Sequence, residues 1–156
     1  MNTHPHTPWR VYSTHAIFET DTAHIWPLLA DFDGLPRLIP DLVLSSSLQG
    51  RGVGSVRTLR FSDGLSADET LISFHPEVFR QAYSMQDPSP FPWKHYFCTQ
   101  QLQPLGAGQT HLLISGYCHP AEGKADAAKA TMREVYHSLY EGIGRVLDVR
   151  VSVQPD

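Results

Sequence analysis

A long amphipathic segment closes the sequence, from about Glu122 to Arg150, and the residues before it must supply an apolar surface for it to lie on. Ala128, Met132, Val135, Tyr136, Leu139, Ile143, Val146 and Leu147 recur at the spacing of one helical stripe. Lys129, Arg133, Glu134, His137, Glu141 and Arg145 lie mostly off that stripe. Gly142 falls among Leu139, Ile143 and Val146, and Gly144 sits one turn before Leu147. Each glycine costs ~1 kcal/mol of helix propensity relative to alanine. Two readings of them stay open: the helix presses close to a neighbour or kinks there, or it is trimmed on its inner side to leave room for a ligand.

What precedes the helix reads as strands. Trp9 to Glu19 alternates as a first strand. Asp21 or Thr22 then caps a short helix carrying Ile25, Trp26, Leu28, Leu29 and Phe32, with Pro27 expected in its first turn or so. A second helical piece, about Gly34 to Ile39, is closed by Pro40. Strand signals follow at about 43–48, 55–61, 67–74, 79–85, 95–103 and 109–119, separated by turn chemistry such as Asp63-Gly64 and Gly106 to Gly108. Strands this close in sequence leave no room for crossover helices, so the sheet must be antiparallel. The expectation is an α+β chain, one strongly curved sheet wrapped around the closing helix. Residues 9–156 would form a single domain and residues 1–8 a flexible tail.

Composition narrows the function. A net charge of -4 with scattered lysines and arginines offers no basic footprint, so nucleic acid is not an expected partner. No apolar run approaches the roughly 20 residues of a membrane span, and the polar, proline-bearing start does not read as a secretory signal. Cys98 and Cys118 lie in strand segments without a CxxC pair, which points to reduced thiols and a cytoplasmic location. Nine histidines invite a metal, yet His4 and His6 read as solvated and His95, His111 and His119 as strand-end side chains, so no metal site is expected. No nucleophile elbow, zinc helix or phosphate loop is present in the sequence, and no cofactor is called for.

The order of elements carries a resemblance, together with Ile25-Trp26-Pro27-Leu28-Leu29-Ala30-Asp31-Phe32, Gly54-Ser55-Val56-Arg57, Asp68-Glu69-Thr70-Leu71 and Tyr96. From about Tyr12 to Val149 the chain resembles the START-like SRPBCC superfamily, the helix-grip proteins that include the birch pollen allergen. Its nearest look is to the polyketide cyclase/dehydrase-type members. The resemblance implies a seven-stranded antiparallel sheet gripping the C-terminal helix, two short helices after the first strand, and a deep cavity. It places a carboxylate, here Glu69, on the inner face. It also reaches the plant abscisic acid receptors: Asp63-Gly64-Leu65-Ser66-Ala67 is similar to their gate loop, and Arg37 falls near their pocket lysine. Their latch is replaced by Phe91-Pro92-Trp93, so only a mobile entrance loop carries over.

With Glu69 inward, alternation assigns the rest of the lining. Ala67 and Leu71 flank it, with Ser73 beyond; Arg57, Leu59 and Phe61 precede it, and Tyr83 and Met85 follow. Tyr96 and Cys98, then Ser115 and Tyr117, would continue the face, with Met132, Tyr136, Leu139 and Ile143 opposite on the helix. Leu65 would guard the entrance, and Trp93, flanked by prolines at an exposed turn, would be a lid or a plug. A three-residue turn through Leu65 is needed to align Phe61 with Glu69. A buried carboxylate needs a partner, and Arg57 is the obvious one.

Three functions remain open: a carrier of a small hydrophobic or aromatic molecule such as a lipid, a polyketide-like compound or an isoprenoid; a cyclase, dehydratase or isomerase moving a proton through Glu69, Tyr96 or Tyr83; and an interaction module contacting a partner or a second copy, as in a homodimer.

Overall fold

The computed structural model describes residues 9–155, so the expected tail over residues 1–8 lies outside the described residues. The elements run β1 (Arg10–Phe18), α1 (Thr22–Ala30), α2 (Leu35–Leu38), β2 (Val43–Gln49), β3 (Val56–Phe61), β4 (Ser66–His75), β5 (Arg80–Met85), β6 (Trp93–Pro104), β7 (Thr110–Pro120), α3 (Ala125–Leu147) and β8 (Val151–Val153). They form one antiparallel sheet in the order β2-β3-β4-β5-β6-β7-β1-β8. This is the helix-grip architecture the sequence pointed to, with eight strands in place of seven.

The extra strand arises where α3 stops. Periodic residues continue to Leu147, but Asp148 adopts the left-handed conformation at φ 54° and its N–H bonds the carbonyls of Arg145 and Gly144. The chain therefore turns back three residues before the expected end, and Val151–Val153 pairs with Ala16–Phe18 of β1. A helical stripe and a short apolar strand are hard to tell apart by period at such a junction. Pro27 likewise sits inside α1, beyond the first turn that was expected to hold it.

The two helix glycines serve close packing. A Cβ on Gly142 would land on the backbone carbonyl of Leu38, and one on Gly144 would strike the Val151 side chain. Gly142 thus lets α2 rest its backbone on α3, and Arg145 Nη2 completes the joint by donating to the carbonyls of Arg37 (3.1 Å) and Leu38 (3.3 Å). Neither glycine opens a cavity, which corrects the second of the two readings. A third glycine shapes the interior more directly: a Cβ on Gly116 of β7 would meet the Tyr136 hydroxyl and the Met132 sulfur, so this bare backbone makes room for two large side chains of α3.

Gly116 also exposes an error of alternation. Paired residues share a face, and Cys98 pairs with Gly116 while Gln100 pairs with Ile114. The inner residues of β7 are therefore Leu112, Ile114, Gly116 and Cys118. Ser115 and Tyr117 are outward, against expectation: Ser115 bonds Ser13 at 2.8 Å and Tyr117 stacks on Phe97 at 4.4 Å. Apolar side chains occupy both faces of β7, so the pattern along it did not separate them. On β4 a bulge between Leu71 and Ser73 ends the alternation, and Phe74 takes the inward place expected of Ser73, stacking on Trp26 at 5.6 Å.

Two outcomes follow. Replacing Gly142 with alanine should cost roughly 2–4 kcal/mol in denaturant unfolding, because the obstacle is backbone. The second concerns His15 and His111, whose Nδ1 and Nε2 lie 2.9 Å apart on the outer face, so that one ring must donate to the other. Burial, then the neighbouring His15, holds His111 below the ordinary imidazole value of 6.5. A depressed folded-state value makes the contribution full above 6.5 and lost as pH falls through the lower native value. Tm should therefore decline on acidification through this window, and His111→Asn should flatten that decline.

Candidate ligand-binding site

The turn between β3 and β4 sets the site. Phe61 N–H bonds the Leu65 carbonyl and Gly64 N–H bonds the Phe61 carbonyl, so the loop is Ser62-Asp63-Gly64, three residues long as required and placed one residue earlier than expected. Gly64 supplies the positive φ of 88° that closes it. Arg57 then stands directly opposite Glu69, and Leu59 opposite Ala67, with all four side chains inward and buried.

Arg57 and Glu69 form the polar centre. Arg57 Nε and Nη2 both donate to Glu69 Oε1, at 3.0 and 2.8 Å, and Nη1 donates to the Phe32 carbonyl at 3.0 Å. The guanidinium lies 4.1 Å from the Phe32 ring centroid and 4.7 Å from that of Tyr83. Both hydrogen bonds to the carboxylate fall on one oxygen, and Oε2 accepts none from the described residues. Burial lifts the Glu69 carboxyl above its ordinary value, and the opposing charge and hydrogen bonds of Arg57 offset part of that rise.

Around this pair lies a cavity of about 360 Å³. Arg57, Leu59, Phe61, Glu69, Tyr83 and Met85 line it from β3, β4 and β5, and Met132, Tyr136 and Leu139 from α3. One wall is an aromatic ladder. Phe61 meets Phe91 edge-on at 5.3 Å, Phe91 stacks on Trp93 at 4.8 Å, and Trp93 stacks on Tyr96 at 4.7 Å. Tyr96 reaches Tyr136 hydroxyl to hydroxyl at 2.6 Å. Behind them sits the Cys98 thiol, pushed up to about 11 by burial, the opposite of what a thiolate nucleophile requires. Burial also holds the Tyr83, Tyr96 and Tyr136 phenols well above their ordinary value, so all three are neutral donors at physiological pH.

The structure thus brings twelve of the expected residues to the lining: Arg57, Leu59, Phe61, Leu65, Glu69, Tyr83, Met85, Trp93, Tyr96, Met132, Tyr136 and Leu139. Ala67, Leu71, Cys98 and Ile143 are buried in the core but do not line the cavity. Arg37 is exposed on α2 and does not enter, because its helix docks backbone-first on Gly142. Ser115 and Tyr117 are on the outer face, as described. Trp93 is neither at an exposed turn nor a lid: it begins β6, is 6% exposed, and is one rung of the wall. Alternation could not find Leu35, Ile39, Leu42 and Val43, contributed by α2 and the entry to β2, nor Pro90 and Phe91 before β6. Irregular segments have no period to read. Among the described residues no three His, Cys, Asp or Glu side chains gather as metal ligands, and no helix is long and apolar enough to cross a membrane.

A curved sheet, a gripped helix and a hollow between them define the helix-grip class. A family model described as polyketide cyclase / dehydrase and lipid transport matches residues 8–147, and the chain belongs to that family, within the SRPBCC superfamily. Three solved structures are similar. XoxI from Bacillus cereus is 24% identical, with a TM-score of 0.75 over 88% of this chain and 94% of that one. Norcoclaurine synthase from Thalictrum flavum, in complex with dopamine and hydroxybenzaldehyde, is 17% identical, with a TM-score of 0.75 over 91% and 88%. Ara h 8.0201 is 17% identical, with a TM-score of 0.74 over 90% and 99%. No curated protein matches the chain. At these identities the likeness is one of fold.

The ion pair is open to a direct check. Glu69→Ala leaves Arg57 buried without its counter-charge and should cost about 3–5 kcal/mol in urea unfolding, whereas Arg57→Met combined with Glu69→Leu should cost less than that single change.

Proposed function

We propose that this protein binds a small hydrophobic or aromatic molecule, of the size of a short lipid, a polyketide-like compound or an isoprenoid, in the cavity between the sheet and α3. The observation that carries the reading is the aromatic ladder from Phe61 to Tyr96 along an unfilled interior of about 360 Å³. Ligand pockets of this volume are typically apolar with a few convergent polar groups, and here Glu69 and the Tyr96–Tyr136 hydroxyl pair supply them. The family description, which includes lipid transport, and the two small aromatics held by norcoclaurine synthase support the same reading.

A second reading, proton transfer on a bound carbonyl compound, draws on the raised carboxyl of Glu69 beside neutral phenols. Arg57 holds Oε1 of that carboxylate, so only Oε2 is left to exchange a proton. The fixed carboxylate makes carriage the better supported of the two.

Native mass spectrometry of the purified protein should show a co-purified small molecule. Leu139→Trp, which fills the cavity from α3, should lose that mass while keeping the circular dichroism of the fold. Bare protein mass, with no uptake when aromatic compounds are added, would overturn the reading.

A further inference from the structure

The charge of the lining says what kind of ligand the cavity favours. Among the described lining residues there is one cation, Arg57, and there are three carboxylates, those of Glu69, Asp63 and Glu134. Asp63 and Glu134 are exposed and stand at the rim, on the β3–β4 turn and on α3, while Glu69 is 4% exposed and lies inside. The charge of Arg57 is already answered by Glu69, although each of its Nη nitrogens keeps a second N–H. Its Nε and Nη2 are engaged by Glu69, its Nη1 by the Phe32 carbonyl, and its faces by the Phe32 and Tyr83 rings. Glu69 Oε2 has no partner from the described residues, so the carboxylate presents one free acceptor to the cavity.

We infer that the ligand is cationic: a protonated amine on an aromatic or apolar body, its ammonium hydrogen-bonded to Glu69 Oε2 and its body laid along the Phe91–Trp93–Tyr96 wall. This rests on the cavity being a ligand site, as proposed above. A buried acceptor favours a partner that can donate, and a charged donor makes the shorter and stronger bond. Aromatic faces attract the same charge through their quadrupoles, most strongly where water is excluded. The rim carboxylates add a long-range preference that concentrates cations at the mouth and repels anions, an effect screened by salt. An anionic ligand such as a fatty carboxylate would meet the charge of Glu69 and have to share Arg57, the one cation among the described lining residues, with it, so its desolvation would be poorly compensated.

Three probes of one shape separate the alternatives: naphthylethylamine, naphthylethanol and naphthylacetate, titrated by calorimetry at low and at moderate salt. The amine should bind about tenfold tighter than the alcohol, a difference of the size expected for one desolvated charged contact, and the acetate should bind most weakly. Glu69→Gln should bring the ratio of amine to alcohol affinity to about one. Because that change also disturbs Arg57, Glu134→Gln at the exposed rim is the companion: it should narrow the ratio at low salt and leave the ratio at moderate salt nearly as it was. Equal binding of amine and alcohol, or tightest binding of the acetate, overturns the charge preference and leaves cavity binding standing. Failure of all three probes to bind overturns both.

Discussion

The contact between Arg57 and Glu69 organises more of this molecule than its size suggests. The two residues face each other across neighbouring strands, and a charge pair can be held inside a sheet only if both members point the same way. That demand requires the odd-length turn at Ser62-Asp63-Gly64, since a two-residue loop would send one of them to solvent. The guanidinium then reaches out of the sheet to the Phe32 carbonyl and lies between the rings of Phe32 and Tyr83. A single side chain therefore ties β3, β4 and β5 to the segment leading from α1 to α2, the part of the chain that covers one end of the hollow.

The hollow persists because the helix is held differently along its length. Toward its C-terminal end α3 meets neighbours at backbone range: α2 rests on Gly142 and Val151 packs on Gly144. Toward the middle, Met132 and Tyr136 reach the sheet at Gly116 and Tyr96, and together with Leu139 they bound the space above β3 to β5. Interiors are ordinarily packed without large voids, and empty volume forgoes dispersion contacts. A chain that packs its helix so closely toward one end and leaves about 360 Å³ beside its middle has placed that cavity where the polar pair and the aromatic wall are.

How far the sequence was legible depended on which residues carried a period. Alternation on β3, β4 and β5, anchored on Glu69, placed Arg57, Leu59, Phe61, Tyr83 and Met85 correctly, since those strands run opposite one another with few irregularities near the site. It failed on β7, where Leu112 and Leu113 offer equal apolar claims to both faces, and beyond the bulge at Leu71. The glycines of α3 could be seen but not interpreted: Gly142 answers to a carbonyl on α2, more than a hundred residues earlier, which no local pattern encodes. Trp93 was rightly expected at the lining, but the prolines around it suggested an exposed turn, whereas stacking on Phe91 and Tyr96 carries it inside.

The same contrast bears on chemistry. A catalytic carboxylate usually needs freedom to gain and lose a proton, and the strong hydrogen bonds from Arg57 to Oε1 oppose protonation at that oxygen. Burial opposes ionisation of the group as a whole, and the balance leaves the carboxyl only partly compensated. A third partner at Oε2 that brings positive charge relieves this conflict, since it favours the ionised form that Arg57 already favours and answers the desolvation that the protein alone does not.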